Sequence, residues 1–245
     1  MSGKASLRST VVAAAKQLGG PGLTVKARCL LRGYGLPRWG NLRRTRPFSA
    51  TYGFERGQPI DRYYLHNFLE AHRQLITGDV LEVQGTSYTD RFGRDVIRAD
   101  CFDIEARFAP TYLCDFAHCA EVIPDHAYDC LLLPNTLSHF RKLDRCLEQA
   151  LRVVRPGGVI LASAAGLLPL TGDVPDYWRL TPQGWREKLG AAWPGAALEV
   201  EGHGNCLSSV GAQFGLALEE LSTAELDVHD PRFPVLTTIF CRTPR

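Results

Sequence analysis

The run Tyr128-Asp129-Cys130-Leu131-Leu132-Leu133 is almost wholly apolar. A strand with that pattern has to be covered on both faces, which calls for helices above and below a parallel sheet. The residues that follow agree. Leu143, Leu147, Ala150, Leu151 and Val154 mark one face of an amphipathic helix over 143–155, Pro156-Gly157-Gly158 stops it, and Val159 to Ala164 supplies the next strand. Upstream, a helix over 59–75 precedes the strand Asp79 to Val83 and the loop Gln84-Gly85-Thr86-Ser87. A second strand lies within 95–105 and a third spans 111–115. Downstream the spacing predicts a helix from Thr181-Pro182 to Leu189, a strand over 197–200, a helix over 207–221 and a last strand over 235–241. Strands alternating with helices predict an α/β fold, doubly wound and mostly parallel, a Rossmann-like sheet with helices on both faces.

The 245 residues, 45% of them hydrophobic, suffice for one sizeable core. The longest apolar stretch, 159–170, is broken by Ser163, Gly166 and Pro169 and falls short of the ~20 residues of a membrane span. No signal-peptide pattern opens the chain, so a cytoplasmic location is expected. Eight cysteines form no CxxC pair, and Cys114, His118 and Cys119 lack a second ligand pair at zinc spacing, so no metal is expected.

Charge divides the chain. Ten of its 28 basic residues precede Glu55, the first acidic one. The remainder carries a net charge of −8. The expected organisation is a basic arm over 1–48 and one domain over 49–245. In the arm, residues 9–18 predict a short helix stopped at Gly19-Gly20, and the rest up to Phe48 reads as extended surface chain. Such an arm suits an anionic membrane surface, a phosphate-bearing substrate or an acidic partner. No module of interleaved basic and aromatic residues points to nucleic acid.

In an open parallel sheet, ligands bind beyond the carboxyl ends of the strands. Glu82, Gln84 and Gly85 stand at the end of the first strand, Asp103 and Glu105 at the second, Asp115 and Phe116 at the third, and Asn135 at the fourth. A carboxylate at 103–105 can take both hydroxyls of a ribose. Asp115 can take an adenine amino group, with Phe116 packing the ring.

Gly78-Asp79-Val80-Leu81-Glu82-Val83, Asp115, Tyr128-Asp129, the stretch 135–140 and Leu151 to Gly158 resemble the cofactor motifs of class I S-adenosylmethionine-dependent methyltransferases. Arg56 to Tyr64, Ser87-Tyr88-Thr89 and Asp176 to Pro182 resemble a bacterial group of these enzymes often encoded beside glycosyltransferases, from about Gly53 onward. The usual Gly-x-Gly after the first strand is absent, leaving Gln84 and a single Gly85. The resemblance implies S-adenosyl-L-methionine as cofactor and O-methylation of a sugar hydroxyl in a glycan, glycolipid or nucleotide-linked saccharide. It also implies a glycosyltransferase as the kind of partner such a chain would meet.

An alcohol nucleophile needs a proton acceptor within hydrogen-bond reach. His139, just beyond the fourth strand, is the first candidate and Asp176 the second, although Asp176 can instead orient Arg179. Tyr177 and Trp178 can pack on a sugar face, Phe54 or Tyr63 can cover the sulfonium, and His203 and Asn205 are outer candidates for the acceptor pocket. Two rival readings stand beside this one: a nicotinamide dehydrogenase, for which GxGxxG is missing, and a non-catalytic scaffold of the same fold docked to a glycosyltransferase.

Overall fold

Tyr128–Leu133 does form a strand, and its neighbours explain its composition. In the computed structural model, which describes residues 2–32, 40–170, 172 and 174–245, Leu131 and Leu133 pack into one core and Cys130 and Leu132 into another on the opposite face. All four are fully buried. The same alternation splits the fifth strand, with Ile160, Ala162 and Ala164 on one side and Val159 and Leu161 on the other.

The sheet has seven strands: β1 (Gly78–Val83), β2 (Val96–Asp103), β3 (Tyr112–Leu113), β4 (Tyr128–Leu133), β5 (Val154–Ala165), β6 (Ala197–His203) and β7 (Leu236–Arg242). Their spatial order is β3-β2-β1-β4-β5-β7-β6. β1 to β5 are parallel, and β7 runs antiparallel to both β5 and β6. The order reverses between β1 and β4, which puts a crevice at the carboxyl ends of β1, β2 and β4.

The chain divides into two compact units, residues up to Arg46 and from Pro47 to Arg245. In the first, helix α1 runs Ser2–Leu31 with Gly20 at φ 64. The expected stop at Gly19-Gly20 is therefore a kink, and the extended chain expected after it is helical as far as Leu31. Pro21 directly after Gly20 explains the restart, because proline is favoured in a helix's first turn. The continuation of that expectation through 33–39, with Arg38, lies outside the described residues.

In the second unit the helices are α2 (Asp61–Ala71), α3 (Ser87–Phe92), α4 (Leu143–Val153), α5 (Pro182–Ala192), α6 (Cys206–Gln213) and α7 (Thr223–Leu226). α4 and α5 cover one face of the sheet, with Trp185 and Trp193 buried there; α2, α3 and α6 cover the other. Thr181 caps α5 by accepting from the Gly184 amide. The expected 207–221 helix ends at Gln213, since Gly215 turns left-handed at φ 69.

Pro156-Gly157-Gly158 does not separate helix from strand. β5 begins at Val154, and the three residues form an outward bulge inside it, where Tyr128 pairs with Val154 and Cys130 with Val159. Gly157 at φ 78 makes the bulge, and a Cβ on Gly158 would lie 2.9 Å from the Asp129 carbonyl oxygen. This edge is locked by Arg155, which reaches Asp79 at 2.6 Å and Asp129 at 2.5 Å. It is the end of the sheet away from the crevice.

Candidate active site

At the carboxyl ends of the strands lies a cavity of about 780 Å³, within the ~300–1,000 Å³ of ordinary small-molecule sites. Gln84, Asp103, Glu105, Asp115, Phe116, Asn135, His139 and Asp176 all line it. Glu82 and Gly85 do not.

Glu82 is the main correction. It is buried, and its carboxylate accepts from the Tyr88 amide (3.1 Å), the Thr89 amide (2.8 Å) and the Thr89 hydroxyl (2.7 Å). It ties the start of α3 to the end of β1 rather than facing a ligand. Burial pushes its pKa up, against the three hydrogen bonds, which favour the carboxylate.

Beyond Glu82 the loop turns at Gln84, whose φ of 71 is the left-handed conformation that glycine usually supplies. The missing Gly-x-Gly is thus met by the backbone of Gln84 itself, and its amide donates to the Phe102 carbonyl at 2.8 Å. A Cβ placed on Gly85 would meet nothing within 4 Å. Gly85→Ala is therefore expected to leave both the melting temperature and S-adenosylhomocysteine binding unchanged, because the methyl group finds open space and Gly85 stands outside the cavity lining. Thermal melts with and without the ligand check both halves.

The acids of β2 and β3 are differently disposed. One oxygen of Asp103 accepts from the Glu105 amide at 2.6 Å, which orients the carboxylate while its other oxygen stays open to the cavity. Glu105 is half-buried and pairs with Arg107 at 2.5 Å, so Asp103 is the better placed of the two for a ribose. Asp115 caps the turn after β3 by accepting from the Ala117 amide at 3.0 Å. Phe116 stacks on Phe102 at 4.3 Å and on Phe140 at 5.7 Å. With 3% of its surface exposed, it offers a ligand only a strip of its ring.

Asn135 sits left-handed at φ 50 directly after Pro134. Its amide N–H donates to Ser163 Oγ at 2.7 Å, and Ser163 Oγ donates back to Asn135 Oδ1 at 3.1 Å. Its Nδ2 donates to Asp61 Oδ2 at 2.7 Å, an oxygen that also takes Arg62 Nη1 at 2.5 Å. Asp61 and Arg62 both line the cavity, yet the sequence reading gave Asp61 only a helix start. Its place in the Arg56 to Tyr64 motif was the signal available.

His139 Nδ1 lies 3.0 Å from the Pro175 carbonyl oxygen. A carbonyl can only accept, so Nδ1 carries the proton and Nε2 of the neutral ring keeps its lone pair. Asp176 is different. Its carboxylate is 3% exposed and engages Arg179 through both oxygens, while Arg179 also donates to the carbonyls of Gly166, Leu168 and Pro169. Of the two roles expected for Asp176, the structure gives it the one of orienting Arg179 and holding the loop, not that of a base.

Phe54 and Tyr177 line the cavity. Trp178 is partly buried against the core and donates Nε1 to the Phe140 carbonyl at 2.8 Å. Tyr63 and His203 are elsewhere, in a second hollow of about 330 Å³, where Tyr63 donates to Asp227 at 2.5 Å. Asn205 is the N-cap of α6. Tyr63 is therefore not placed to cover the sulfonium, and His203 and Asn205 stand outside the acceptor pocket.

The cavity suits an adenosyl cofactor on its own chemistry: an oriented carboxylate at Asp103, a second acid at Asp115 and the edge of the Phe116 ring beside it. A family model described as a methyltransferase domain matches residues 85–162, a stretch that carries Asp103, Glu105, Asp115, Asn135 and His139. No curated protein matches the chain. Among solved structures, the [4+2]-cyclase SpnF is 17% identical with a TM-score of 0.50, over 81% of this chain and 87% of its own. An S-adenosylmethionine-dependent methyltransferase from Mesorhizobium loti is 14% identical with a TM-score of 0.50, over 75% and 99%. Haemonchus contortus phosphoethanolamine N-methyltransferase 2, in complex with S-adenosyl-L-methionine, is 14% identical with a TM-score of 0.50, over 74% and 53%. At such identities the structural likenesses show a shared fold.

The class follows from the matched domain set in this fold: the chain is a methyltransferase.

Proposed function

We propose that the chain O-methylates a sugar hydroxyl, with residues 49–245 as the catalytic domain. The observation that carries this reading is His139 Nε2, left free to accept a proton by the Nδ1 bond to Pro175, in the same cavity as the acids of β2 and β3. Asp103 and Asp115 hold the cofactor's ribose and adenine, and Gln84 borders the rest of it. S-adenosylmethionine supplies an electrophilic methyl group. His139 takes the proton of the acceptor hydroxyl at Nε2 and passes it to solvent.

Tyr52, Phe54 and Tyr177 set aromatic rings beside Asp61, Asn135 and Thr136 in the cavity wall, a mixture that suits a flat ring bearing hydroxyls. Asp61 acts through Asn135. Asp61→Asn is expected to raise the acceptor KM several-fold while the affinity for S-adenosylhomocysteine stays put, as steady-state kinetics and calorimetry can show.

The saccharide class and a glycosyltransferase partner rest on the motif resemblance to the bacterial group encoded beside glycosyltransferases, and a cytoplasmic site of action on the sequence pattern. No helix among the described residues is long and apolar enough to cross a membrane. The first unit, with ten basic residues and no acidic one, is suited to peripheral contact with anionic lipid, at about 1 kcal/mol per basic residue near the surface. Incubation of the purified chain with methyl-labelled cofactor and glycan extracts tests the proposal: label should enter a glycan, and no cofactor-dependent label in any saccharide fraction counts against it.

A further inference from the structure

The mouth of the cavity is unusually apolar for a site that takes a sugar. Phe54 is 58% exposed and Leu170 68%. Leu167, Val174 and Tyr177 are exposed as well, and Phe54, Leu168, Val174 and Tyr177 line the cavity itself. Apart from Phe54, these side chains belong to one loop, the segment that leaves β5. Clustered exposed apolar side chains beside a polar cleft mark a place where another apolar surface comes to rest. A free or nucleotide-linked sugar can pack on the rings of Phe54 and Tyr177 but offers nothing for the aliphatic side chains of Leu167, Leu170 and Val174.

The loop is fastened beside a positive charge. The amides of Tyr177 and Trp178 donate to the Ser138 carbonyl at 2.8 and 3.2 Å. His139 Nδ1 donates to Pro175, and Trp178 Nε1 donates to Phe140 at 2.8 Å. These bonds zip 175–178 along 138–140, and the next residue is Arg141, exposed and lining the same cavity. The other cations of the wall are engaged: Arg62 with Asp61, Arg107 with Glu105, Arg179 with Asp176, and Lys142 within 2.7 Å of His118 Nε2. Arg141 makes no ion pair among the described residues. An uncommitted guanidinium is a strong receptor for a phosphate.

We propose that the acceptor is an anionic amphiphile, a saccharide joined through phosphate to a lipid chain, with the phosphate at Arg141 and the chain along Leu167, Leu170 and Val174. The inference rests on the sugar O-methyltransferase reading and selects the lipid-linked form of its substrate. Charge complementarity decides the occupant: a neutral glycolipid would bring no counter-charge to Arg141, which has none among the described residues, and a nucleotide diphosphate would leave the aliphatic part of the loop uncovered.

The test titrates the full chain, saturated with S-adenosylhomocysteine, with decyl phosphate, inorganic phosphate and decyl maltoside, each below its micelle concentration. Decyl phosphate is expected to bind once per chain and at least tenfold more tightly than either of the others. Arg141→Ala should remove its advantage over decyl maltoside. Leu170→Ser, at a position too exposed to affect folding, should reduce its advantage over inorganic phosphate. Equal affinity for decyl phosphate and inorganic phosphate, equal affinity for decyl phosphate and decyl maltoside, or indifference to both substitutions would overturn the proposal. The preceding titration with S-adenosylhomocysteine keeps the parent reading separate: heat there with no preference for decyl phosphate refutes the lipid-linked acceptor alone, and no heat there refutes both.

Discussion

His139→Gln is expected to lower kcat by about 10²–10⁴-fold, the usual share of general acid–base catalysis, with little change in the KM for cofactor or acceptor. The loop that His139 Nδ1 holds at 3.0 Å stays attached without that bond, through the Tyr177 and Trp178 amides that donate to the Ser138 carbonyl. What disappears is the lone pair on Nε2. Asp176→Asn should behave in the opposite way. It weakens the clamp on Arg179, loosening the loop that carries Val174 and Tyr177, so acceptor KM and thermal stability suffer before the chemistry does. If instead Asp176→Asn abolishes kcat at unchanged KM while His139→Gln leaves it intact, the assignment of the base is wrong.

Asp103→Ala is expected to weaken S-adenosylhomocysteine binding by roughly 10–150-fold, since a hydrogen bond to a charged group contributes about 1.5–3 kcal/mol. The carboxylate is oriented by the Glu105 amide at 2.6 Å, and its remaining oxygen faces the cavity. Glu105→Ala should do far less. Glu105 spends its charge on the exposed Arg107, and such surface ion pairs contribute only ~0–1 kcal/mol. Calorimetry on the two variants side by side separates the residues that the sequence could only offer together.

That pair shows where sequence reading stopped. The fold was legible because burial on both faces leaves a mark in composition: Tyr128 to Leu133 has no polar side, and the 143–153 helix shows its stripe plainly. The bulge at Pro156-Gly157-Gly158 was not, because proline and glycine signal a break without saying whether the strand resumes in register. At the site, residue types and strand ends marked the right neighbourhood, and Gln84, Asp103, Asp115, Asn135 and His139 do line one cavity. Their individual roles depended on hydrogen bonds to distant or backbone partners. Glu82 was read as a ligand because an acid that binds cofactor and an acid that anchors a helix look alike in sequence. Asp61 was missed for the converse reason: its partner Asn135 lies 74 residues away, and only the packing of α2 on the sheet face, with its first residue at the carboxyl end of β4, brings them together. His203 and Asn205 follow the sixth strand as expected, but β6 is the far edge of the sheet, out of reach of the crevice.

One binding site for an adenosyl group at the crevice between β1 and β4 underlies every role assigned above. Calorimetric titration of the unmodified chain with S-adenosylhomocysteine measures it directly. One molecule should bind per chain, displaceable by S-adenosylmethionine and not by NAD. A flat titration at millimolar ligand, or tight binding of NAD in its place, would contradict the account.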